Sequence, residues 1–153
     1  MPSLELKIPP PVVALLCAAV MWLVDQYTLA YLVSPALKWS FVVFFIVVGA
    51  TFDIAGLLAF RRSKTTINPL HPEKSSTLVS GGIYNITRNP MYCGMVAFLI
   101  AWMSYLGNSS TLIGVFLFMW YITKFQIIPE EQILTKLFGE DFVAYQNRVR
   151  RWL

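Results

Sequence analysis

Four apolar runs, separated by polar segments, dominate the hydrophobic pattern of this chain. They cover about residues 11–33, 39–60, 91–106 and 111–128. Because a helix needs roughly 20 apolar residues to cross a bilayer, the first two runs are long enough to span and the last two are short. The pattern predicts an all-α, integral membrane bundle of about four transmembrane helices, with the two short spans tilted or partly embedded.

The polar segments predict how these helices are connected and oriented. The turn GNSS at 107–110 is tight and predicts an antiparallel hairpin between the third and fourth runs. Basic residues concentrate in the loop at 61–90 and in the C-terminal tail, whereas the two short loops contain only Lys38. Because lysine and arginine favour the cytoplasmic side of a membrane, both termini and the long loop are predicted to be cytoplasmic.

The loop at 61–90 is rich in proline, glycine, serine and threonine, so it is not one continuous helix. A loop of this length without a fold of its own is uncommon unless it is disordered or functional. It contains apolar residues that a disordered linker would not need: Ile67, Leu70, Leu78, Val79, Ile83 and Tyr84. These residues favour a folded cytoplasmic cap over the helix ends.

The C-terminal tail has a helical period. Its apolar side chains form one stripe at i, i+3, i+7 and i+10, which arginines flank: Phe142, Tyr145, Val149 and Trp152. The pattern is typical of a C-terminal amphipathic helix at a membrane interface, and it predicts that the tail lies on the inner leaflet. Gly139 is predicted to divide the tail into two helices.

Composition supports a membrane protein. Of the 153 residues, 57% are hydrophobic and 13% are charged, whereas a soluble domain carries about a quarter charged residues. The length suits a single domain over residues 1–153. The net charge of +4 is interpreted as basic residues near anionic lipid rather than as a nucleic-acid site.

Residues that bind metals are sparse, and no metal site is expected. Cys17 and Cys93 lie in apolar runs without metal spacing and are interpreted as packing residues. His71 is interpreted as an ordinary loop histidine, with contact to a substrate as the alternative. The first apolar run lacks a cleavage-site pattern and is expected to be a retained helix.

Asp53 is the clearest charge within an apolar run. Gly49, Asp53 and Gly56 share one helix face, which suits close contact between helices. A structural ion pair with Lys124, near the end of the fourth run, is the first interpretation of Asp53. A carboxylate that lines a ligand pocket is the second.

Two polar clusters flank the third and fourth runs on the same side. A tight hairpin would bring Arg88, before the third run, to Glu130 and Glu131, after the fourth. The glutamates are either a negative first helical turn beside Pro129 or a recognition site for an ammonium, a sulfonium or ribose hydroxyls. Arg88 is either a positive-inside anchor or a fork for a carboxylate or phosphate.

These clusters contain motifs that occur together in one protein family. They are LVSGGIYNITRNPMYCG and, further along the chain, PEEQILTKLFGEDFVAYQNRVRRWL. In this order they resemble the isoprenylcysteine carboxyl methyltransferase family, which groups with the membrane phospholipid methyltransferases. The resemblance covers about residues 65–153. It implies an all-helical membrane enzyme that uses S-adenosylmethionine.

The resemblance also implies roles for individual residues. One wall of the cofactor pocket would comprise Gly82, Tyr84, Arg88, Asn89, Pro90 and Tyr92, and the other Glu130 and Glu131. The tail that closes over the pocket would include Phe138, Gly139, Tyr145 and Arg148. Asn89 stands where the eukaryotic prenylcysteine enzymes have histidine, which leaves the acceptor open.

Arg88, Asn89 and Glu131 are the predicted catalytic residues. Arg88 would orient a carboxylate acceptor, which needs no base, whereas an amine or thiol acceptor would need Glu131 or a neighbour as base. Because the motif has no histidine, an acceptor that is already deprotonated in water is favoured. The membrane setting implies an amphiphilic acceptor, either a prenyl-like compound or a lipid, and a homodimer would complete the substrate groove.

Two other classes of protein remain as alternatives. A membrane reductase with a nicotinamide cofactor would need more basic residues in the pocket than Arg88 and the nearby Arg61, Arg62 and Lys64. A non-catalytic scaffold or small transporter is the other alternative, although a transporter would concentrate its polar residues at mid-membrane. The expected location is the bacterial inner membrane, with the active site on the cytoplasmic side.

Overall fold

The computed structural model describes residues 5–29, 34–63 and 77–153, and within these ranges the regular secondary structure is entirely helical. The α-helices are α1 (Pro10–Tyr27), α2 (Pro35–Ser63), α3 (Pro90–Leu106), α4 (Leu112–Ile122), α5 (Ile128–Phe138) and α6 (Glu140–Arg148). The predicted all-α fold is therefore confirmed. His71 and the first half of the predicted cap loop, including Ile67 and Leu70, lie outside the described residues.

Three of the described helical stretches are long and apolar enough to cross a membrane: Pro10–Tyr27, Pro35–Ser63 and Ser109–Phe138. The third stretch is continuous because α4 passes through a π-helical turn, Thr123–Ile127, directly into α5. Helix α3 is also apolar but has only 17 residues, in agreement with the short third run of the sequence.

Pro129 lies in the first turn of α5, as expected, but that turn follows the π-helical turn without a break. Proline has no N–H, so in a regular α-helix the carbonyl four residues earlier would lack its partner. That carbonyl belongs to Phe125, and the backbone N–H of Leu6 donates to it at 3.0 Å. The N-terminal segment is thereby attached to the long helix next to the two glutamates.

Helices α2 and α3 pack closely through small residues, as the Gly49–Asp53–Gly56 face predicts. A Cβ atom on Gly49 would lie 2.8 Å from the Phe98 ring, and one on Gly94 would collide with the carboxylate of Asp53. Only residues without a side chain allow this approach of the two backbones.

The predicted ion pair between Asp53 and Lys124 is wrong. Asp53 faces α3, where its Oδ1 is buried without a hydrogen-bond partner. The ammonium of Lys124 instead lies over the rings of Trp120 and Phe125, at 5.5 and 5.4 Å from their centroids. Asp53 is also not among the residues that line the main cavity. Its side chain belongs to the helix contact rather than to a ligand pocket.

The turn between α3 and α4 is the predicted tight hairpin. Gly107 ends α3 in the left-handed region, with φ of 72°. Asn108 then accepts a hydrogen bond from the N–H of Ser110 and donates to Asp25 and Thr28 at the end of α1. This amide therefore fastens α1 to the hairpin at the end of the bundle away from the glutamates.

The prediction that the apolar stripe of the tail lies on the inner leaflet is wrong. Gly139, with φ of 54°, separates α5 from α6 as expected. The apolar stripe of α6, however, does not face outward as a helix on the inner leaflet requires. Phe142, Tyr145 and Val149 are buried against Val79 and Tyr84 of the cap loop and against the ends of α2 and α5. The stripe is covered by protein, because the loop and the tail form one small core of their own.

Candidate functional site

A cavity of about 280 Å³ lies at the end of the bundle where the cap loop and the tail meet the helices. Most of its wall is apolar and comes from all parts of the chain: Pro10, Phe60, Val79, Met91, Met95, Ile127, Leu134, Phe138 and Phe142. The polar or charged groups of its wall include Tyr84, Arg88, Asn89, Tyr92, Glu130, Glu131 and Tyr145. An apolar cavity with a few convergent polar groups is the usual form of a small-molecule site.

The structure brings together most of the predicted site residues but not all. All three predicted catalytic residues, Arg88, Asn89 and Glu131, line this cavity. Gly82 does not line it and borders a separate depression beside the end of α2. Pro90 is buried as the first residue of α3, where it starts the helix rather than facing the cavity.

Glu131 is held by two arginines. One carboxylate oxygen accepts from Arg88 at 2.8 Å, and the other accepts from Arg151 at 2.7 Å. A further hydrogen bond joins the Arg151 Nε to the first oxygen at 3.1 Å, and the hydrogen bonds with Glu131 raise the pKa of Arg151. Both salt bridges that connect described residues therefore end on this one carboxylate.

The rest of the Arg88 guanidinium binds the tail. Its Nη1 donates to the carbonyls of Gln146 and Val149 at 2.9 and 3.1 Å, and its backbone N–H donates to Arg150. The Gln146 carbonyl lies in the last turn of α6, where carbonyls have no partner within the helix. Among the nitrogens of this guanidinium, Nε is buried without a hydrogen-bond partner. Most of the hydrogen-bonding capacity of the Arg88 guanidinium is therefore used within the protein.

Thr87 and Asn89, on either side of Arg88, hold the carbonyl of Arg151. The Thr87 hydroxyl donates to it at 3.1 Å and the Asn89 amide at 2.9 Å. Thr87 is fully buried. Sequence reasoning assigned roles in the site to neither Thr87 nor Arg151, because hydroxyl and guanidinium groups in loops and tails are common. The available signal in the sequence was that Thr87 directly precedes the Arg88-Asn89-Pro90 motif.

Glu130 has a different environment from its neighbour. One of its oxygens accepts a hydrogen bond from the Tyr92 hydroxyl at 3.2 Å, and neither salt bridge named above includes it. Tyr92 is buried in α3. Glu130 is therefore a cavity-facing carboxylate whose described partner is a neutral hydroxyl.

Two tyrosines close the side of the cavity formed by the loop and the tail. The Tyr145 hydroxyl donates to the Tyr84 carbonyl at 2.7 Å, and the Tyr84 ring packs edge-on against Phe60. Burial raises the pKa of Tyr145 to about 12, against the opposing effect of the Arg88 and Arg148 charges. Burial also raises the pKa of Tyr84. Both phenols are therefore neutral at physiological pH and act as hydrogen-bonding and packing groups.

The other tail residues that were predicted to close over the pocket differ in their distance from the cavity. Phe138 ends α5 and lines the cavity, and Gly139 turns the chain into α6. Arg148 is exposed at the end of α6 and does not reach the cavity wall. The tail thus closes over the site through Phe138 and Tyr145.

Comparison of the sequence with known proteins identifies its family. A family model described as phospholipid methyltransferase matches residues 37–141. An uncharacterized protein of Haemophilus influenzae is 43% identical over 63 residues, which cover 41% of this chain and 100% of that protein. No solved structure matches the chain.

Longer matches connect the chain with named plant and animal proteins. Protein-S-isoprenylcysteine O-methyltransferase A of Arabidopsis thaliana is 26% identical over 129 residues, covering 81% of this chain and 66% of that protein. Protein-S-isoprenylcysteine O-methyltransferase of Xenopus laevis is 29% identical over 129 residues, covering 81% of this chain and 45% of that protein. The chain thus spans two thirds or less of the length of these two relatives.

Proposed function

The chain belongs to the phospholipid methyltransferase family, and on this premise we propose that it transfers a methyl group from S-adenosylmethionine to an amphiphilic acceptor. The acceptor is the carboxylate of a prenylcysteine-like compound or a lipid headgroup. The names of the Arabidopsis and Xenopus relatives support the first, and the name of the family model supports the second.

The observation that carries the proposal is the Glu130 carboxylate. It faces a cavity with aromatic and aliphatic walls, and its described partner is the neutral Tyr92 hydroxyl. A carboxylate in such surroundings is stabilised by a cationic ligand group. The donor set therefore fits S-adenosylmethionine, which carries a sulfonium and an ammonium, and the apolar walls fit its adenine ring. Nε of Arg88, buried without a partner, is a free donor for the carboxylate of the same ligand.

When bound, S-adenosylmethionine supplies an activated methyl group, so the protein mainly has to bind, orient and exclude water. Tyr84, Tyr145 and Phe142 close the cavity on the side of the loop and the tail. Glu130 would bind the sulfonium or ammonium of the cofactor, and Arg88 would bind its carboxylate. The Met91 and Met95 side chains of α3 offer an apolar wall for the tail of the acceptor.

The contacts of Glu131 favour an acceptor that needs no base. Both of its oxygens are bound to guanidinium groups, so its hydrogen-bonding positions are already used within the protein. A carboxylate acceptor, already deprotonated in water, needs no proton transfer. If the acceptor is an amine or thiol, Glu130 is the carboxylate of the cavity wall that is available as base.

We also propose that the cavity opens on the cytoplasmic side of a bacterial inner membrane. Arg61 and Arg62 in the last turn of α2 lie at the same end of the bundle as the cavity. Basic residues near the end of a span favour the cytoplasmic side. A homodimer remains a prediction, and the mass of the detergent-solubilised protein would test it.

The test is calorimetric titration of S-adenosylmethionine into the purified protein in detergent. We expect the wild type to bind, and Glu130→Gln to weaken binding by about 10-fold or more, because hydrogen bonds to charged groups are worth roughly 1.5–3 kcal/mol. Glu140→Gln is the matched control, since Glu140 is exposed in the first turn of α6, away from the cavity wall.

Two results would contradict the proposal. Equal binding by wild type and Glu130→Gln would remove Glu130 from the site. No binding by folded wild-type protein would reject the cofactor, and titration with nicotinamide nucleotides would then test the reductase alternative. A chain that binds neither class of cofactor would be assigned to the scaffold alternative.

A further inference from the structure

A second depression, of about 370 Å³, lies beside the last turns of α2 and is separate from the proposed cofactor site. Its wall on one side is a face of α2 that comprises Ala55, Leu58, Ala59 and Arg62. The wall on the other side is the loop that contains the double glycine, Gly81 and Gly82. The sequence predicted Gly82 for the cofactor pocket, but the structure places this glycine at the second depression.

The α2 side of the depression is apolar at one end and cationic at the other. Its four residues follow the spacing i, i+3, i+4 and i+7, so they share one helix face. With a rise of about 1.5 Å per residue, Ala55 and Arg62 are about 10 Å apart along the axis. Because α2 is long and apolar enough to cross a membrane and Arg62 lies in its last turn, the depression extends from the hydrocarbon region toward the headgroup region.

The polar side chains of the depression are hydrogen-bond donors. Arg62 is exposed, and neither salt bridge between described residues includes it. A guanidinium binds a phosphate through two parallel N–H groups, and the hydroxyl of Ser63 adds a further donor. None of the described residues that line the depression is acidic. Charge complementarity therefore favours an anionic ligand group, and the apolar face of α2 favours one that carries acyl chains.

The double glycine leaves the loop side of the depression open. A Cβ atom on Gly81 or on Gly82 would meet no described atom within 4 Å, so packing does not require a small residue at either position. The left-handed backbone of Gly82, with φ of 63°, explains that glycine. Gly81 has φ of −101° and ψ of 167°, an extended conformation that any residue adopts. A headgroup can therefore approach the backbone closely at Gly81.

We propose that this depression binds an anionic phospholipid, with the phosphate on Arg62 and Ser63 and an acyl chain along Ala55 and Leu58. The site is distinct from the cofactor cavity, although Val79 lines both. The proposal does not depend on methyl transfer. The alternative is that Arg62 is only a positive charge at the end of a span, which attracts anionic lipid without a defined site.

Arg61 offers a matched control for Arg62. It is also exposed in the last turn of α2, but it does not line the depression. The measurement is the apparent melting temperature of the purified protein in neutral detergent, titrated with short-chain phosphatidylglycerol. A ligand that binds the folded state raises this temperature with its concentration, which gives a dissociation constant. Phosphatidylcholine of the same chain length tests the need for net charge, and glycerol phosphate tests the need for acyl chains.

The proposal predicts different results for the two arginines. Phosphatidylglycerol should stabilise the wild type, and Arg62→Gln should weaken its binding about 10-fold, whereas Arg61→Gln should weaken it less than about 2-fold. Equal weakening by the two substitutions would overturn the proposal in favour of a general charge effect. Folded wild-type protein that phosphatidylglycerol does not stabilise would overturn it as well. Equally tight binding of phosphatidylcholine would reject an anionic site, and equally tight binding of glycerol phosphate would reject a lipid site.

Gly81→Leu tests the location of the site without changing any charge. Because a Cβ atom at Gly81 meets no described atom, the melting temperature without lipid should stay the same. The added side chain should fill the loop side of the depression and weaken phosphatidylglycerol binding at least about 5-fold. Unchanged affinity would reject the depression as the binding site. S-adenosylmethionine titrated in parallel keeps the proposals apart, since its failure to bind rejects the cofactor and leaves the lipid result valid.

Discussion

Glu130 and Glu131 are adjacent, have the same chemistry and line the same cavity, but their surroundings differ. Glu131 accepts three hydrogen bonds from the guanidinium groups of Arg88 and Arg151. Glu130 accepts one from the neutral hydroxyl of Tyr92. Successive residues on a helix point about 100° apart, so neighbours in sequence meet different elements. The pair thus divides into a carboxylate bound by two arginines and a carboxylate bound by a neutral phenol.

Glu131 connects distant parts of the chain. Arg88 precedes α3, Glu131 is in α5, and Arg151 follows α6. Thr87 and Asn89 bind the backbone of Arg151 while its side chain binds Glu131. The tail is therefore attached through both main chain and side chain. Among the described residues, the hydrogen bond of Glu130 joins only α5 to α3, through Tyr92.

The largest effect on stability is expected when the Glu131 carboxylate is removed. Glu131→Gln leaves the Arg88 guanidinium, whose side chain is 12% exposed, without a counter-charge. We expect a loss of about 3 kcal/mol in stability, the low end for breaking a buried ion pair. The measurement is the apparent melting temperature in detergent. An unchanged melting temperature would show that Glu131 does not stabilise the tail.

Removal of the Arg151 side chain should have a smaller effect, because Glu131 remains paired with Arg88. The Arg151 side chain is 35% exposed, so solvent screens its charge. We expect Arg151→Ala to cost about 1–2 kcal/mol. Arg151→Lys should recover less than half, since an ammonium cannot bind both carboxylate oxygens with a planar fork. Full recovery with lysine would mean that charge alone, without the bidentate geometry, holds the tail.

Thr87 tests the attachment of the tail through its backbone. Thr87→Val keeps the shape but removes the hydroxyl that donates to the Arg151 carbonyl and accepts from the Asn89 N–H. The expected loss is about 1 kcal/mol, because Asn89 still binds the same carbonyl. Thr87→Ser should restore most of this stability. Equal melting temperatures for Thr87→Val and wild type would assign the attachment to Asn89 and Arg88 alone.

The smallest expected effect on stability is that of Glu130→Gln, which tests the difference between the two glutamates most directly. Glu130 neutralises no cation among the described residues, and an amide can still accept from Tyr92. We expect a change of less than about 0.5 kcal/mol, as for substitutions outside structural networks. Melting curves of Glu130→Gln and Glu131→Gln recorded together provide the check. Equal losses in the two variants would refute the division of the pair.

Much of the fold could be predicted from the sequence because it depends on local patterns. Apolar run lengths predicted the helices, and the turn at 107–110 predicted the hairpin. Gly139 predicted the break before α6. The hairpin also implied that Arg88 and the glutamates meet at one cavity, which is where the structure places them. Each of these inferences needs only periodicity, chain length and a turn.

The predictions that failed needed knowledge of what covers a helix face. The stripe of α6 has the same spacing whether lipid or protein buries it, and the structure buries it under the cap loop. Likewise, the sequence showed a carboxylate at Asp53 and a cation at Lys124 but not how each helix is rotated. Asp53 turns toward Gly94 of α3, and Lys124 lies over the rings of its own helix.

The apolar pattern and the position of the charges were enough to predict a helical membrane protein with its polar chemistry gathered at one end. They could not predict which of two adjacent carboxylates in the cavity wall is bound by arginines and which by a tyrosine. The physical reason is that helix rotation depends on long-range packing and, in this chain, on the extra residue of the π-helical turn before Pro129. A change of about 100° in that rotation would exchange the directions of neighbouring side chains without any change in the apolar pattern.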